Sequence, residues 1–194
     1  MSRTRTFIAV ALTKPIRERI VALQDELSRG EAEVKWTEAE NIHVTLLFLG
    51  EVPNEELPAI CRLVSQTVQG REPFGLSVEA VGCFPNIRRP RIVWVGVGAG
   101  TQELLKIHDD LEAPLFDLGF RKEDRKYTPH ITLGRVKSDR PTEKLTAAIQ
   151  RHAGWHGGEM TVQEIHVMSS ELTRNRPVYT VLARAKLGEK ANEE

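Results

Sequence analysis

The chain has 194 residues, 40% of them hydrophobic and 28% charged, with 27 basic side chains against 27 acidic ones. That mixture excludes a disordered chain, and the length suits one ordinary domain or two closely packed lobes, not two independent domains. Zero net charge excludes a general nucleic-acid coat protein held by a global field, so any polyanion must be bound by a local basic patch.

In chain order, Phe7 to Leu12 is an apolar run of strand length, preceded by Met1-Ser2-Arg3-Thr4-Arg5 and not by a signal-peptide apolar region. Pro15 opens a helix with Ile16, Ile20, Leu23 and Leu27 on one face, and Gly30 stops it. A polar stretch leads to a strand from Ile42 to Leu49. Asn54 is a candidate cap for a helix burying Leu57, Ile60, Val64 and Val68, and Phe74 to Val81 alternates as a strand with Leu76, Val78 and Ala80 inward. The order then restarts. Ile92 to Val97 is a strand, and residues 101–118 form a helix burying Leu104, Leu111, Leu115 and Leu118, with Pro114 a possible kink. His130 to Val136 is a strand, a helix begins near Pro141 with Leu145 and Ile149 inward, and Met160 to Met168 and Val178 to Leu187 are the closing strands.

Each half thus reads as strand, helix, strand, helix, strand. The expected architecture is α+β, two lobes related by a pseudo-twofold axis that brings the third element of each half to the lobe interface, where pockets tend to form. The domain spans 1–187, with sequence halves of about 1–90 and 91–187, and the charged tail 188–194 is expected to be disordered. No apolar run crosses a bilayer, so a cytoplasmic protein with no membrane partner is expected, with a monomer as the default state. Cys61 and Cys83 form neither a C-x-x-C pair nor a zinc pattern and read as buried free thiols.

The third element of each half carries the same chemistry, His43-Val44-Thr45-Leu46 and His130-Ile131-Thr132-Leu133. A strand puts residues i and i+2 on one face, so each string presents an imidazole beside a hydroxyl. Taken alone, a His-x-Thr in an apolar strand is an ordinary core pattern; two copies at equivalent places point to an acid/base pair. His108, His152, His156 and His166 lack such a partner threonine and read as structural or exposed. No Asp, Glu or Cys lies within two residues of either motif histidine, which disfavours a metal site, and no G-x-S-x-G elbow supports a serine nucleophile. What remains is acid/base catalysis without metal or cofactor on a substrate that supplies its own electrophile. A phosphodiester fits, since in-line displacement needs a base on one side, an acid on the other and donors for the equatorial oxygens.

HVTLLFLG and PHITLGR resemble the paired His-x-Thr signatures of the 2H phosphoesterase superfamily, and within it the RNA 2′,3′-cyclic phosphodiesterases, also called 2′-5′ RNA ligases. The opening RTFIAVAL, Val81-Gly82-Cys83-Phe84-Pro85, Pro90 to Gly96 and Ser169-Ser170-Glu171-Leu172 before Tyr179 extend the resemblance along nearly the whole chain. It implies a duplicated bilobal fold with two antiparallel β-sheets facing a central cleft and helices outside, no metal, RNA ends with a 2′,3′-cyclic phosphate as partners, hydrolysis to a 2′-phosphate, and reversible, ATP-independent 2′-5′ ligation. His43 would donate the proton and His130 accept it, a polarity that the near-symmetric motifs leave open. Thr45 and Thr132 are the expected phosphate donors. Arg135 lies on the opposite face of a strictly alternating strand and reaches phosphate only if a bulge or the strand end turns it inward, while Phe48, its equivalent, either stacks on a base or is plain core. Arg88, Arg89, Arg91, Lys122, Arg125 and Lys126 lie in loops and either guide RNA or are solvated charge. Another small cyclic phosphate, a 2′-5′ oligonucleotide, or a non-catalytic RNA-binding role remain the alternative readings.

Overall fold

A computed structural model describes residues 2–30, 32–121, 126–137, 143–174 and 176–188. Along the chain run β1 (Arg3–Ala11), α1 (Lys14–Ser28), β2 (Val34–Trp36), a 3₁₀ turn (Ala39–Asn41), β3 (His43–Pro53), α2 (Leu57–Val68), β4 (Phe74–Phe84) and β5 (Ile92–Val97). There follow α3 (Thr101–Asp117), β6 (His130–Val136), α4 (Glu143–Arg151), β7 (His156–Val162), β8 (Glu164–Leu172) and β9 (Pro177–Lys186). The fold is α+β with two antiparallel sheets, ordered β3-β1-β8-β9 and β2-β6-β5-β4-β7.

Leaving aside the short edge strand β2, the two orders correspond: motif strand, first strand of the same half, a strand that closes the other half, and an edge strand, β9 in one sheet and β7 in the other. Each sheet therefore takes strands from both halves of the sequence. The helices follow the same exchange, α1 and α4 packing on the five-stranded sheet and α2 and α3 on the four-stranded one. The motif strands β3 and β6 pack against each other where the sheets meet. Leu23, Leu27, Ile60, Leu104, Leu111, Ile131 and Leu145 are fully buried, so the apolar faces read from helical and strand spacing are the core.

Several expectations need correction. Met160 to Met168 is not one strand: the chain changes sheet at Gln163, with β7 beside β4 and β8 beside β1. Alternation in β4 fails at Ala80, whose φ of 63° marks a bulge, and Val81 takes the buried position. Leu118 is 49% exposed because α3 ends before it. Asn54 does not cap α2; its Oδ1 accepts from the Thr4 hydroxyl at 2.8 Å. The free thiols of Cys61 and Cys83 are partly exposed, and burial still pushes both upward in pKa. Pro141 and residues 189–194 of the tail lie outside the described residues. No helix among the described residues is long and apolar enough to cross a membrane.

Candidate active site

The two motif strands carry the same local device. A β-bulge leaves Leu46 without a partner on β1 and Leu133 without one on β5. Leu46 and Leu47, like Leu133 and Gly134, are therefore consecutive buried residues, and the next side chain on each strand turns back to the face of the histidine and threonine. That residue is Phe48 on β3 and Arg135 on β6. The bulge required for Arg135 is present, and Phe48, 56% exposed, is not core.

His43, Thr45, Phe48, Thr132 and Arg135 all line one cavity of about 580 Å³ between the sheets. His130, two residues before Thr132 on the same strand face, is not among its lining residues; its ring packs edge-on against Phe84 at 5.2 Å. Both histidines are oriented alike. A carbonyl can only accept, so His43 Nδ1–H donates to the Asn41 carbonyl and His130 Nδ1–H to the Thr128 carbonyl, each at 2.7 Å. In the neutral rings Nε2 is thereby the basic nitrogen, and on His43 it accepts from the Thr45 hydroxyl at 2.8 Å. The Thr132 hydroxyl has no protein partner among the described residues.

His43 packs against Phe7 at 4.9 Å and edge-on against Tyr179 at 5.5 Å. This burial holds its pKa below the ordinary 6.5, opposed by the hydrogen bond to Asn41. Burial likewise raises the Tyr179 phenol, against the pull of Arg5 and Arg135. Tyr127 donates its hydroxyl to the Thr45 carbonyl at 2.8 Å and stacks on His108 at 4.3 Å, tying the segment before the second motif to the first. His166 is 4% exposed and bonded to Glu164 at 2.6 Å, and His152 to Glu26 at 2.7 Å; neither lines the cavity. Among the described residues no cluster of three His, Cys, Asp or Glu side chains is arranged to hold a metal.

Arg5, Lys35, Lys137 and Tyr179 also line the cavity and escaped the motif reading. Lys35 sits on a three-residue strand, too short for periodicity to reveal. Arg5 is the third residue of β1, which begins four residues ahead of its expected start at Phe7, and Tyr179 shows only as part of the family-like segments. Arg88, Arg89, Arg91 and Lys126 do not line the cavity, and Lys122 and Arg125 lie outside the described residues.

Residues 10–174 match the family model of the 2′-5′ RNA ligase superfamily. The chain is 39% identical over 178 residues to an RNA 2′,3′-cyclic phosphodiesterase of Methanothermobacter thermautotrophicus, covering 92% of this chain and 96% of that protein. A protein of the same name from Thermotoga maritima is 34% identical over 92% of both chains. Among solved structures, a Thermus thermophilus protein superposes with a TM-score of 0.81 at 31% identity, covering 95% of this chain and 98% of that one. Escherichia coli LigT complexed with 3′-AMP superposes at 0.79 with 28% identity, covering 97% and 100%.

Proposed function

The chain belongs to the 2′-5′ RNA ligase superfamily, and from that we propose that it hydrolyses the 2′,3′-cyclic phosphate at an RNA end to a 2′-phosphate, with His43 and His130 as its acid/base pair. The supporting observation is the repeated device: two strands, each fixing an imidazole by an Nδ1–H to carbonyl bond, each bearing a threonine on the same face, and each bulged one residue later.

The steps follow from these groups. His130 Nε2 takes a proton from water, the water oxygen bonds to phosphorus, the P–O3′ bond breaks, and His43 gives its proton to the 3′ oxygen. Thr45, Thr132 and Arg135 donate to the equatorial oxygens, whose charge grows in the transition state. Opening the strained ring drives the step, so no ATP is consumed. A 5′-hydroxyl in place of water gives the reversible 2′-5′ joining of two RNA ends. One chain lines the cleft, and the proposal takes the monomer as the active unit.

The depressed His43 pKa favours a second polarity, in which a ring neutral at rest serves as the base. In the first polarity the phosphodiester anion must raise that pKa so that His43 binds its proton with the substrate. The basic test incubates the protein in EDTA with RNA ending in a 2′,3′-cyclic phosphate and identifies the product isomer. Turnover to the 2′-phosphate is expected. A 3′-phosphate product, or activity lost in EDTA and restored by Zn²⁺ or Mn²⁺, would overturn the reading.

A further inference from the structure

The charge in the cleft is not balanced. Its charged lining residues are Arg5, Lys35, Arg135, Lys137, Glu38 and Glu51. Glu38 is taken by Arg176 at 2.9 Å, and Glu51 stands directly opposite Arg5 in the pairing of β1 with β3. Arg5 makes no ion pair with Glu51 or with any other carboxylate among the described residues, and neither do Lys35, Arg135 and Lys137.

Lys35 pairs in register with Arg135, which puts two cations face to face on the cleft side of the sheet. Like charges at directly opposed positions destabilise a sheet. Among the described residues no carboxylate lies within ion-pair distance of either. Lys137, the first residue after β6, lines the same cavity two residues or about 7 Å beyond Arg135. Its backbone N–H donates to the Glu33 carbonyl at 2.8 Å, and the Glu33 carboxylate makes no ion pair with it. The cations thus run as a track from the bulge that presents Arg135 toward the outer edge of the sheet.

We infer that Lys35, with Lys137 beyond it, forms a subsite for the phosphodiester on the 5′ side of the terminal nucleotide, so that the enzyme selects an RNA strand over a cyclic mononucleotide. The inference rests on the cleft being the cyclic-phosphate site proposed above. A mononucleotide 2′,3′-cyclic phosphate fills only the part with the histidines, threonines and Arg135. An oligonucleotide brings a second anion, which removes the repulsion between Lys35 and Arg135 and lets Lys35 contribute only when that phosphate is present. This local track supplies the basic patch that a chain of zero net charge needs to hold a polyanion.

The experiment compares kcat/KM for cytidine 2′,3′-cyclic phosphate and for a trinucleotide with the same terminus, in the parent, Lys35→Gln, Lys35→Arg and the Lys35→Gln/Lys137→Gln pair. Lys106→Gln, on the exposed side of α3, controls for loss of charge alone. The parent is expected to prefer the trinucleotide, Lys35→Gln to lower the ratio by about three- to tenfold, and Lys35→Arg to restore it. The logarithmic salt dependence for the trinucleotide should become shallower by about 0.7 for each lysine lost. Affinity for a trinucleotide ending in a 2′-phosphate, measured by fluorescence anisotropy, reads the same subsite without turnover. Absence of hydrolysis would therefore strike the catalytic reading, whereas equal affinity and an equal ratio in parent and Lys35→Gln would overturn the subsite. A parent with no preference for the trinucleotide would overturn it too, leaving Lys35 as a charge that blunts an edge strand.

Discussion

Gln24 is expected to control activity from outside the cleft. It is 6% exposed on α1, and its Nε2 donates to the Thr37 carbonyl at 2.8 Å and to the Leu133 carbonyl at 2.9 Å. Leu133 is the bulge residue that turns Arg135 inward, and its carbonyl also accepts the Thr37 N–H at 2.8 Å. Gln24→Leu keeps most of the side-chain volume and removes both donated bonds. At about 0.5 to 1.5 kcal/mol net each, the loss is about 1 to 3 kcal/mol, because Leu133 retains one partner and only the Thr37 carbonyl is left short. For a chain of this size each kcal/mol corresponds to about 2 to 4 °C, so Tm should fall by about 2 to 12 °C. With the bulge less firmly held, kcat/KM at room temperature, where the variant is folded, should fall by about three- to thirtyfold, short of the roughly 10²-fold for an ångström of misplacement. On an Arg135→Ala background the same change should cost little further activity, since the two act as a unit. A lowered Tm with unchanged kcat/KM would show that the bulge does not aim Arg135.

Thr132→Val, which removes an uncommitted hydroxyl, should lower kcat/KM by about ten- to a hundredfold without moving either limb of the pH profile. Thr45→Val should cause a similar loss and also raise the limb belonging to His43, because the hydroxyl that stabilises the neutral ring is gone; a profile identical to that of Thr132→Val would contradict this. His43 has a folded pKa below 6.5, so the unfolded chain binds more protons over that window and stability is lost as pH falls below 6.5. Thermal melts should show the parent losing more Tm than His43→Gln between pH 6.5 and the folded pKa of His43, and parallel curves would refute the shift.

Much of this fold was legible because burial imposes periodicity. The faces of α1, α2 and α3 and the strand β6 appear in the chain as spaced apolar residues, and the restart of the same order after Ile92 reveals the duplication. Periodicity does not report which strands pair, so the exchange of β4 and β8 between sheets could not be read. Nor could the break at Gln163, where both flanking segments are strands of similar composition. The histidines and threonines were legible because a two-residue spacing has one meaning on a strand. Phe48 and Arg135 each depended on a bulge set by a partner strand, and the one before Arg135 is also held by Gln24 and Thr37, far away in sequence. Lys35 depended on an edge strand too short to leave a pattern.

The most direct measurement of the central claim is the pH dependence of residual kcat/KM in His43→Ala and His130→Ala beside the parent, with one RNA 2′,3′-cyclic phosphate. Each variant should lose about 10² to 10⁴-fold, the usual contribution of a positioned acid or base. The parent should give a bell, and each variant a single limb: rising with pH in His43→Ala, where His130 remains as base, and falling with pH in His130→Ala, where His43 remains as acid. Exchange of the two slopes would keep the pair and reverse its polarity. A complete bell in either variant, or a rate within a few-fold of the parent, would contradict two-histidine catalysis.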